Sequence, residues 1–76
     1  SGIRVHPRTL RLWEAAGLIE PVRIGGIRHY RPEDIERARF IQHLSLRGVS
    51  LEGIRRILAI GERYGLGYRE LEPGYR

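Results

Sequence analysis

Glycine and proline interrupt this chain so often that no helix or strand can run far before a breaker ends it. Its 76 residues include 10 glycines and 4 prolines, and these positions divide the chain into short pieces. A chain of this length forms at most one small domain, with an economical hydrophobic core. The fold must therefore be built from short elements joined by tight turns.

Residues 7–16 predict a short helix with a basic flank. A proline opens this stretch and a glycine follows it, which suits a first helical turn and the residue after a C-cap. Leu10 and Trp13 share one apolar face, whereas Arg8 and Arg11 fall on the other side. One face of the helix is therefore expected in the core and the other in solvent.

Residues 18–31 predict a β-hairpin. β-branched residues surround the pair Gly25-Gly26, which is a typical sequence for a two-residue hairpin turn. Arg23 and Arg28 lie close to this pair in the sequence. The hairpin is therefore expected to carry basic groups near its tip.

Two longer helices are predicted over residues 32–47 and 50–60. Acidic residues in the first turn of the earlier helix suit the helix dipole, and Ser50 is a good N-cap for the later one. The joint between them is so short that the helices must pack as a pair. The apolar positions that we expect in the core are Ile35, Ala38, Ile41, Leu44, Leu51, Ile54 and Leu58.

Residues 61–76 form a tail rich in glycine and tyrosine. Its glycines and Pro73 argue against a long helix. We expect the folded domain to cover residues 1–60 and the tail to be the flexible part of the chain.

Charge is distributed unevenly along the chain. All 14 basic residues are arginine, and against 9 acidic residues they give a net charge of +5. Residues 1–31 hold six arginines and two glutamates, a surplus of +4, while residues 32–76 hold eight arginines and seven acids, a surplus of +1. A basic surplus at one end points to a polyanionic partner, of which nucleic acid is the commonest inside cells.

The composition excludes several other classes of protein. There is no cysteine, which removes disulfides, thiolate metal sites and zinc fingers. No apolar run approaches the roughly 18–20 residues that a membrane span requires. We therefore expect a cytoplasmic protein that makes no contact with membranes.

The sequence offers no catalytic or metal centre. None of His6, His29 and His43 stands in a metal-binding pattern such as H-E-x-x-H. The Gly25-Gly26 pair leads into a strand and not into a helix, so it is not a phosphate-binding loop. We expect a protein that is not an enzyme and that uses neither a metal ion nor a cofactor.

The residues themselves favour binding of DNA. A short helix that begins with Arg8, Thr9 and Arg11 has the character of a recognition helix, whose first turns enter the major groove. Arginine can pair with guanine or straddle a phosphate, although solvated surface charge is the alternative interpretation. For His6, a place beside the N-cap and a contact to a phosphate or base are equally supported.

Together these elements and their motifs resemble the DNA-binding domain of the MerR family of transcription regulators. The match spans roughly residues 5–60 with the internal spacing of the family. It implies a mostly α fold with a small β-hairpin wing, the winged helix-turn-helix. The matching motifs are Arg8-Thr9-Leu10-Arg11, Trp13-Glu14, Gly17-Leu18-Ile19 with Pro21, Arg28 with Tyr30, and Gly48-Val49-Ser50-Leu51.

The resemblance also implies which residues contact double-stranded DNA. Arg8, Thr9 and Arg11 would lie on the recognition helix, with Arg11 as the main contact to a base or phosphate. From the wing, Arg28 would contact the DNA backbone, while Tyr30 would seat the wing on the helix pair.

Four further residues are candidates for contact with DNA. Trp13 stands where the family usually has tyrosine, so its ring would pack under the wing while its N–H reaches a phosphate. Arg23 and His29 belong to the wing, and His6 precedes the recognition helix.

Within the family, His6-Pro7 and the segment Gln42-His43-Leu44-Ser45 followed by Gly48-Val49 look most like the heat-shock repressor branch. This likeness implies a repressor that binds an inverted-repeat operator, as a homodimer in the intact protein, with a chaperone as co-repressor. Two alternatives stay open. One is a protein-interaction module that docks a partner through the tail, and the other is an architectural, excisionase-like DNA binder.

The chain departs from the family pattern at both ends. Only Ser1-Gly2-Ile3 stands for the first helix of the helix-turn-helix, so we expect that helix to be missing or truncated. Gly61, Gly65 and Gly67 argue against the long C-terminal helix through which family members dimerise. Without cysteine, the metal- and redox-sensing branches are excluded for this stretch of sequence.

Overall fold

Residues 5–76 are described by a computed structural model, and they form four helices and one antiparallel hairpin. This is the mostly helical fold with a small hairpin that the sequence predicted. What we expected of Ser1-Gly2-Ile3 lies outside the described residues. In chain order the elements are α1 (Pro7–Ala15), β1 (Val22–Ile24), β2 (Ile27–His29), α2 (Pro32–Leu46), α3 (Leu51–Tyr64) and α4 (Tyr68–Leu71).

The chain divides into two compact units, one ending at Arg39 and the other covering Phe40–Arg76. The first unit contains α1, the hairpin and the beginning of α2. The second contains the end of α2 together with α3 and α4. This boundary lies inside α2.

Local sequence signals set both ends of α1. His6 is the N-cap, and its Nδ1 accepts a hydrogen bond of 3.0 Å from the backbone N–H of Arg8. After the helix, Gly17 has a φ of 76°, and the N–H of Leu18 donates to the carbonyl oxygen of Trp13 over 2.8 Å. These are the features of a Schellman motif, so α1 is limited to 9 residues.

The hairpin turn has the conformation that its two glycines allow. Gly25 and Gly26 have φ values of 58° and 80°, and both values are positive, as a type I′ turn requires. In the register of the hairpin, Arg23 faces Arg28. Because residues that face each other project to the same side, the two arginines share one face of the hairpin.

The first unit combines a small core with hydrogen bonds from arginine. Arg37 donates through Nε to the carbonyl oxygen of Leu18 at 2.6 Å, and Arg31 donates through Nη2 to the carbonyl oxygen of Glu20 at 3.3 Å. These bonds attach the loop between α1 and β1 to Arg31, which precedes α2, and to Arg37 within α2. The buried apolar side chains of this unit are Trp13, Leu18, Ile19 and Ala38, each at most 4% exposed.

Asp34 caps the start of α2 through specific bonds, whereas we had attributed the acidic first turn to the helix dipole alone. Its carboxylate accepts the backbone N–H of Arg31 at 2.9 Å and receives the guanidinium of Arg31 in a bidentate pair, with both distances 2.9 Å. The bonds from Arg31 lower the pKa of Asp34 below its ordinary value. The hairpin and α2 are therefore joined by a fixed corner.

The second unit is organised around Phe40, whose side chain is fully buried. Tyr68 stacks on the Phe40 ring with 4.5 Å between centroids, and Tyr75 meets the same ring edge-on at 5.2 Å. Glu72 lies 3.2 Å from Nε2 of His43. The other buried apolar side chains of this unit are Ile41, Leu44, Ile54 and Leu58.

Two tyrosines of the tail, Tyr68 and Tyr75, pack on Phe40 in this unit. The helix predicted to end at residue 60 continues through Gly61 to Tyr64. Gly61 is buried, and a Cβ atom there would lie 2.7 Å from Cδ1 of Leu71. This glycine admits a neighbouring side chain and does not end the helix, which stops where Gly65 adopts a φ of 66°.

Two residues expected in the core are exposed instead. Ile35 and Leu51 are 38% and 36% exposed. Ile35 follows Asp34, the buried residue of this turn, so the inward position near the start of α2 is taken by a carboxylate paired with arginine. Leu51 is the first residue of α3, where the helix end opens to solvent.

Candidate nucleic-acid interface

The exposed side of α1 carries two arginines that have no partner within residues 5–76. Arg8 and Arg11 are three positions apart and are therefore neighbours on one face of the helix. Both are exposed, and neither guanidinium makes a hydrogen bond or ion pair with another described residue. The N-terminal end of the helix adds the partial positive charge of its dipole. Thr9 lies between the arginines and is half-buried.

The two wing arginines, in contrast, share a single carboxylate. Nε of Arg28 donates to Oε1 of Glu14 at 2.7 Å, and Nη2 of Arg23 donates to Oε2 at 3.1 Å. Nη1 of Arg23 also lies 3.5 Å from the carbonyl oxygen of Gly26 in the turn. One side chain in the last turns of α1 therefore fixes both basic residues of the hairpin.

These contacts shift the pKa values of the paired groups. The hydrogen bond from Arg28 lowers the pKa of Glu14 below its ordinary value of 4.5, and Arg23 adds to this effect. In return the bond to Glu14 raises the pKa of Arg28. Glu14 is thus a carboxylate at neutral pH, and two guanidiniums against one carboxylate leave a positive surplus on this surface.

An open groove of about 400 Å³ runs between the start of α1 and the hairpin. Arg11 and Arg28 both line it, so one basic residue of the helix and one of the hairpin border the same space. Apolar side chains make up much of the rest of its wall. The lining residues are Pro7, Leu10, Arg11, Gly26, Ile27, Arg28 and Tyr30.

The other predicted contact residues occupy different environments. Trp13 is 4% exposed and belongs to the core of the first unit, so its ring packs inward and contributes little surface to a contact. His29 is exposed on β2, and Tyr30 is half-buried beside the groove. His6 has a structural task, since its ring caps α1.

Glu14 is the residue of this site that sequence reasoning missed. Its only signal was its place next to Trp13 in a family motif, and an acidic residue on a basic surface attracts no attention in a search for DNA contacts. Among residues 5–76 the structure contains no group of three or more side chains suited to hold a metal ion. None of the helices in this part of the chain has the length and apolar character of a membrane span.

A short basic helix followed by a basic two-stranded hairpin and further helices defines a DNA-binding domain of the winged helix-turn-helix class. The family model described as MerR HTH family regulatory protein matches residues 2–59. The chain belongs to this family.

Known relatives include regulators with different names. The chain is 43% identical over 58 residues to a Streptomyces coelicolor protein described as a putative heat shock protein, HspR, covering 74% of this chain and 38% of that protein. It is equally identical over 58 residues to the HTH-type transcriptional regulator ZntR of Escherichia coli K12, covering 74% and 41%. The HTH-type transcriptional regulator HmrR of Rhizobium leguminosarum bv. viciae is 41% identical over 56 residues, covering 72% and 43%.

The chain therefore spans between 38% and 43% of the length of these relatives. No solved structure gives a significant match.

Proposed function

We propose that this chain is the sequence-specific, double-stranded-DNA-binding domain of a transcriptional repressor of the heat-shock type. The observation that carries the proposal is the pair of exposed arginines on α1, Arg8 and Arg11, which have no partner within residues 5–76. Free guanidinium groups beside a helix N-terminus are suited to phosphates and to the guanine edge. Membership of the MerR family supports the same conclusion.

In the proposed complex α1 enters the major groove and the hairpin follows the neighbouring backbone. Arg11 lines the groove between α1 and the hairpin. It is assigned the base contact, in which its guanidinium pairs with O6 and N7 of guanine. Arg8 and Thr9, nearer the helix N-terminus, bind phosphate. Arg28 and Arg23 bind backbone phosphates from the wing.

His29 is exposed on β2, but it follows Arg28 directly, so its side chain projects to the opposite face of the hairpin. We therefore assign it no contact to the phosphates that Arg23 and Arg28 bind. Trp13, Tyr30 and His6 act indirectly in this proposal. Trp13 supports the surface from the core and Tyr30 forms part of the groove wall, while His6 caps the start of α1.

The heat-shock assignment rests on His6-Pro7 and on the segment from Gln42 to Ser45, together with the similarity to HspR. Because ZntR is equally identical, identity alone does not separate the two kinds of regulator. We propose an inverted-repeat operator, a homodimer of the intact protein and a chaperone co-repressor. Repression of a chaperone-operon reporter by the intact protein, relieved by heat, is the expected result, whereas a response only to metal ions would contradict the assignment.

Selection from a pool of random duplexes, followed by fluorescence anisotropy at several salt concentrations, tests DNA binding. Specific duplexes are expected to bind roughly 10³-fold or more tightly than random ones. Affinity is expected to fall with salt, by a slope of about 0.9 for each phosphate contact. Equal affinity for all duplexes, or binding that ignores salt, would refute the proposal.

Two other interpretations can be separated from the proposal by experiment. A tail that docks a partner protein through its tyrosines would have to use Tyr64, which is exposed, since Tyr68 and Tyr75 pack on Phe40. Loss of partner binding, with DNA binding kept, on deletion of residues 61–76 would favour this alternative. An architectural DNA binder bends its site, so mobility in a gel would depend on the position of the site in permuted fragments. We expect no such dependence for a simple repressor.

A further inference from the structure

Glu14 is an acidic residue at the centre of a basic surface. Its carboxylate binds Arg28 at 2.7 Å and Arg23 at 3.1 Å, while its side chain is 21% exposed. A carboxylate in this position would repel the phosphates of DNA if it were left unpaired. Its presence therefore calls for a specific role.

The register of the hairpin explains what this carboxylate compensates. Arg23 and Arg28 face each other across the two strands, and like charges in facing positions destabilise a hairpin. Each oxygen of Glu14 accepts a hydrogen bond from one guanidinium. These two charge-assisted bonds offset the repulsion between the arginines. The same bonds tie the hairpin to α1.

The choice of donor atoms decides between two roles for Glu14. A carboxylate that imitated phosphate would occupy the terminal amino groups of Arg28, which are the groups a phosphate needs. Arg28 instead uses Nε for Glu14, and its terminal groups make no hydrogen bond with residues 5–76. Glu14 therefore holds Arg28 through Nε, and the two terminal amino groups of Arg28 stay available to a ligand.

The position of Arg28 indicates where its terminal amino groups would bind a ligand. Arg28 and Arg11 line the same groove, and Arg11 has no partner of its own within the described residues. A segment of DNA that enters this groove would meet both residues. Fixing Arg28 before binding removes part of the entropy that a free arginine would lose in the complex.

We propose that Glu14 is a positioning residue for DNA binding, which orients Arg28 so that its terminal amino groups meet the DNA backbone. This inference rests on the proposed function. It predicts the unusual result that removing a negative charge from a DNA-binding surface weakens binding to DNA.

The test compares Glu14→Gln with Glu36→Gln by fluorescence anisotropy on a selected duplex. Both variants remove one negative charge, and Glu36 is exposed on α2. We expect Glu14→Gln to weaken binding roughly tenfold, the scale of one arginine contact, and Glu36→Gln to leave it unchanged or slightly tighter. Binding by Glu14→Gln that equals or exceeds that of Glu36→Gln would overturn the inference.

Two further measurements separate positioning from a general loss of structure. The slope of log affinity against log salt is expected to become shallower by about 0.9 for each phosphate contact that the Glu14→Gln protein loses. If the Glu14 carboxylate merely competed with DNA for the arginines, its removal would make the slope steeper. In the background of Arg28→Ala, adding Glu14→Ala is expected to have little further effect. Full additivity of the two substitutions would contradict a role through Arg28.

Arg28→Lys provides a variant that leaves Glu14 intact. It keeps the charge but lacks the Nε bond and the fork, so it is expected to bind as weakly as Glu14→Gln, and wild-type affinity would count against positioning. If the wild-type chain itself fails to distinguish duplexes, the proposed function has failed. If it does distinguish them and only the Glu14 comparison has the opposite sign, this inference alone has failed.

Discussion

The arginines of α1 and those of the hairpin carry the same charge but differ in what holds them. Arg8 and Arg11 have no partner within residues 5–76, whereas Arg23 and Arg28 share the carboxylate of Glu14. The helix arginines keep their rotamer freedom until a ligand arrives, while those of the hairpin have already given up part of it. The comparison teaches that one basic surface can combine adaptable contacts with contacts fixed before binding.

Substitution of Arg11 is expected to produce the largest effect, because it removes a contact that no other residue replaces. Arg11→Ala should weaken binding to a selected duplex by roughly 10- to 100-fold while leaving the thermal unfolding midpoint unchanged. Fluorescence anisotropy and circular dichroism measure the two quantities.

Arg39→Ala is the matched control for Arg11→Ala. Arg39 is also exposed and lies on α2, and it makes no hydrogen bond or ion pair with another described residue. Equal losses of binding in the two variants would mean that charge alone drives the interaction. The proposed distinction between the basic groups would then disappear.

Acid is expected to disturb the hairpin and to leave the charges of Arg8 and Arg11 untouched. The pKa of Glu14 is lowered by its bond with Arg28, and that of Asp34 by its bonds with Arg31. A carboxyl whose pKa is lower in the folded state stabilises that state fully above its unfolded pKa, and the contribution is lost as pH falls through the folded value. The loss for Glu14 therefore lies below its ordinary value of 4.5.

Thermal unfolding of the wild type and of Glu14→Gln, measured from pH 7 down to pH 3, checks this expectation. The variant has no carboxyl at position 14, so its midpoint should fall less between pH 5 and pH 3 than that of the wild type. Asp34 titrates in both proteins and supplies the common part of the decline. Parallel curves over the whole range would show that the bridge between Glu14 and Arg28 does not stabilise the fold.

The features that could be predicted from sequence are those set by near neighbours in the chain. The Gly25-Gly26 turn, the left-handed residue Gly17 after α1 and the N-cap Ser50 all follow from steric and hydrogen-bonding rules that act within a few residues. In the structure Gly53 donates its N–H to Oγ of Ser50 at 3.0 Å, as the N-cap requires. The exposed arginines of α1 likewise followed from helical periodicity alone.

The features that escaped prediction depend on contacts between distant residues. Glu14 meets arginines 9 and 14 positions further along the chain, so periodicity within α1 gives no sign of the bridge. Gly61 was interpreted as a helix breaker, but its missing side chain makes room for Leu71. Tyr68 and Tyr75 of the tail pack on the ring of Phe40, and propensity rules do not include such tertiary contacts.

Altering the hairpin turn should have a smaller effect, confined to the region that Glu14 organises. Gly26 has a φ of 80°, and a Cβ atom there would meet nothing within 4 Å. Gly26→Ala therefore tests backbone strain alone, with an expected loss of about 1–2 kcal/mol in stability. Gly26→Asn, which tolerates the left-handed conformation better, should lose less. Chemical denaturation measures both, and equal stability of alanine, asparagine and wild type would show that the turn is not held in this conformation.

The smallest effect is expected at His6, where the two interpretations of the sequence can now be separated. His6 caps α1 by accepting the N–H of Arg8, so His6→Ala should cost about 0.5–1 kcal/mol in stability and weaken DNA binding only slightly. His6→Ser keeps an N-cap acceptor but removes the imidazole, and it should restore both properties. If serine weakens DNA binding as much as alanine does while stability is restored, the ring itself contacts DNA. His6 would then join Arg8 and Arg11 among the residues that bind DNA directly. The N-terminus of α1 would in that case combine a side chain held in place as the N-cap, His6, with two arginines that have no partner within residues 5–76.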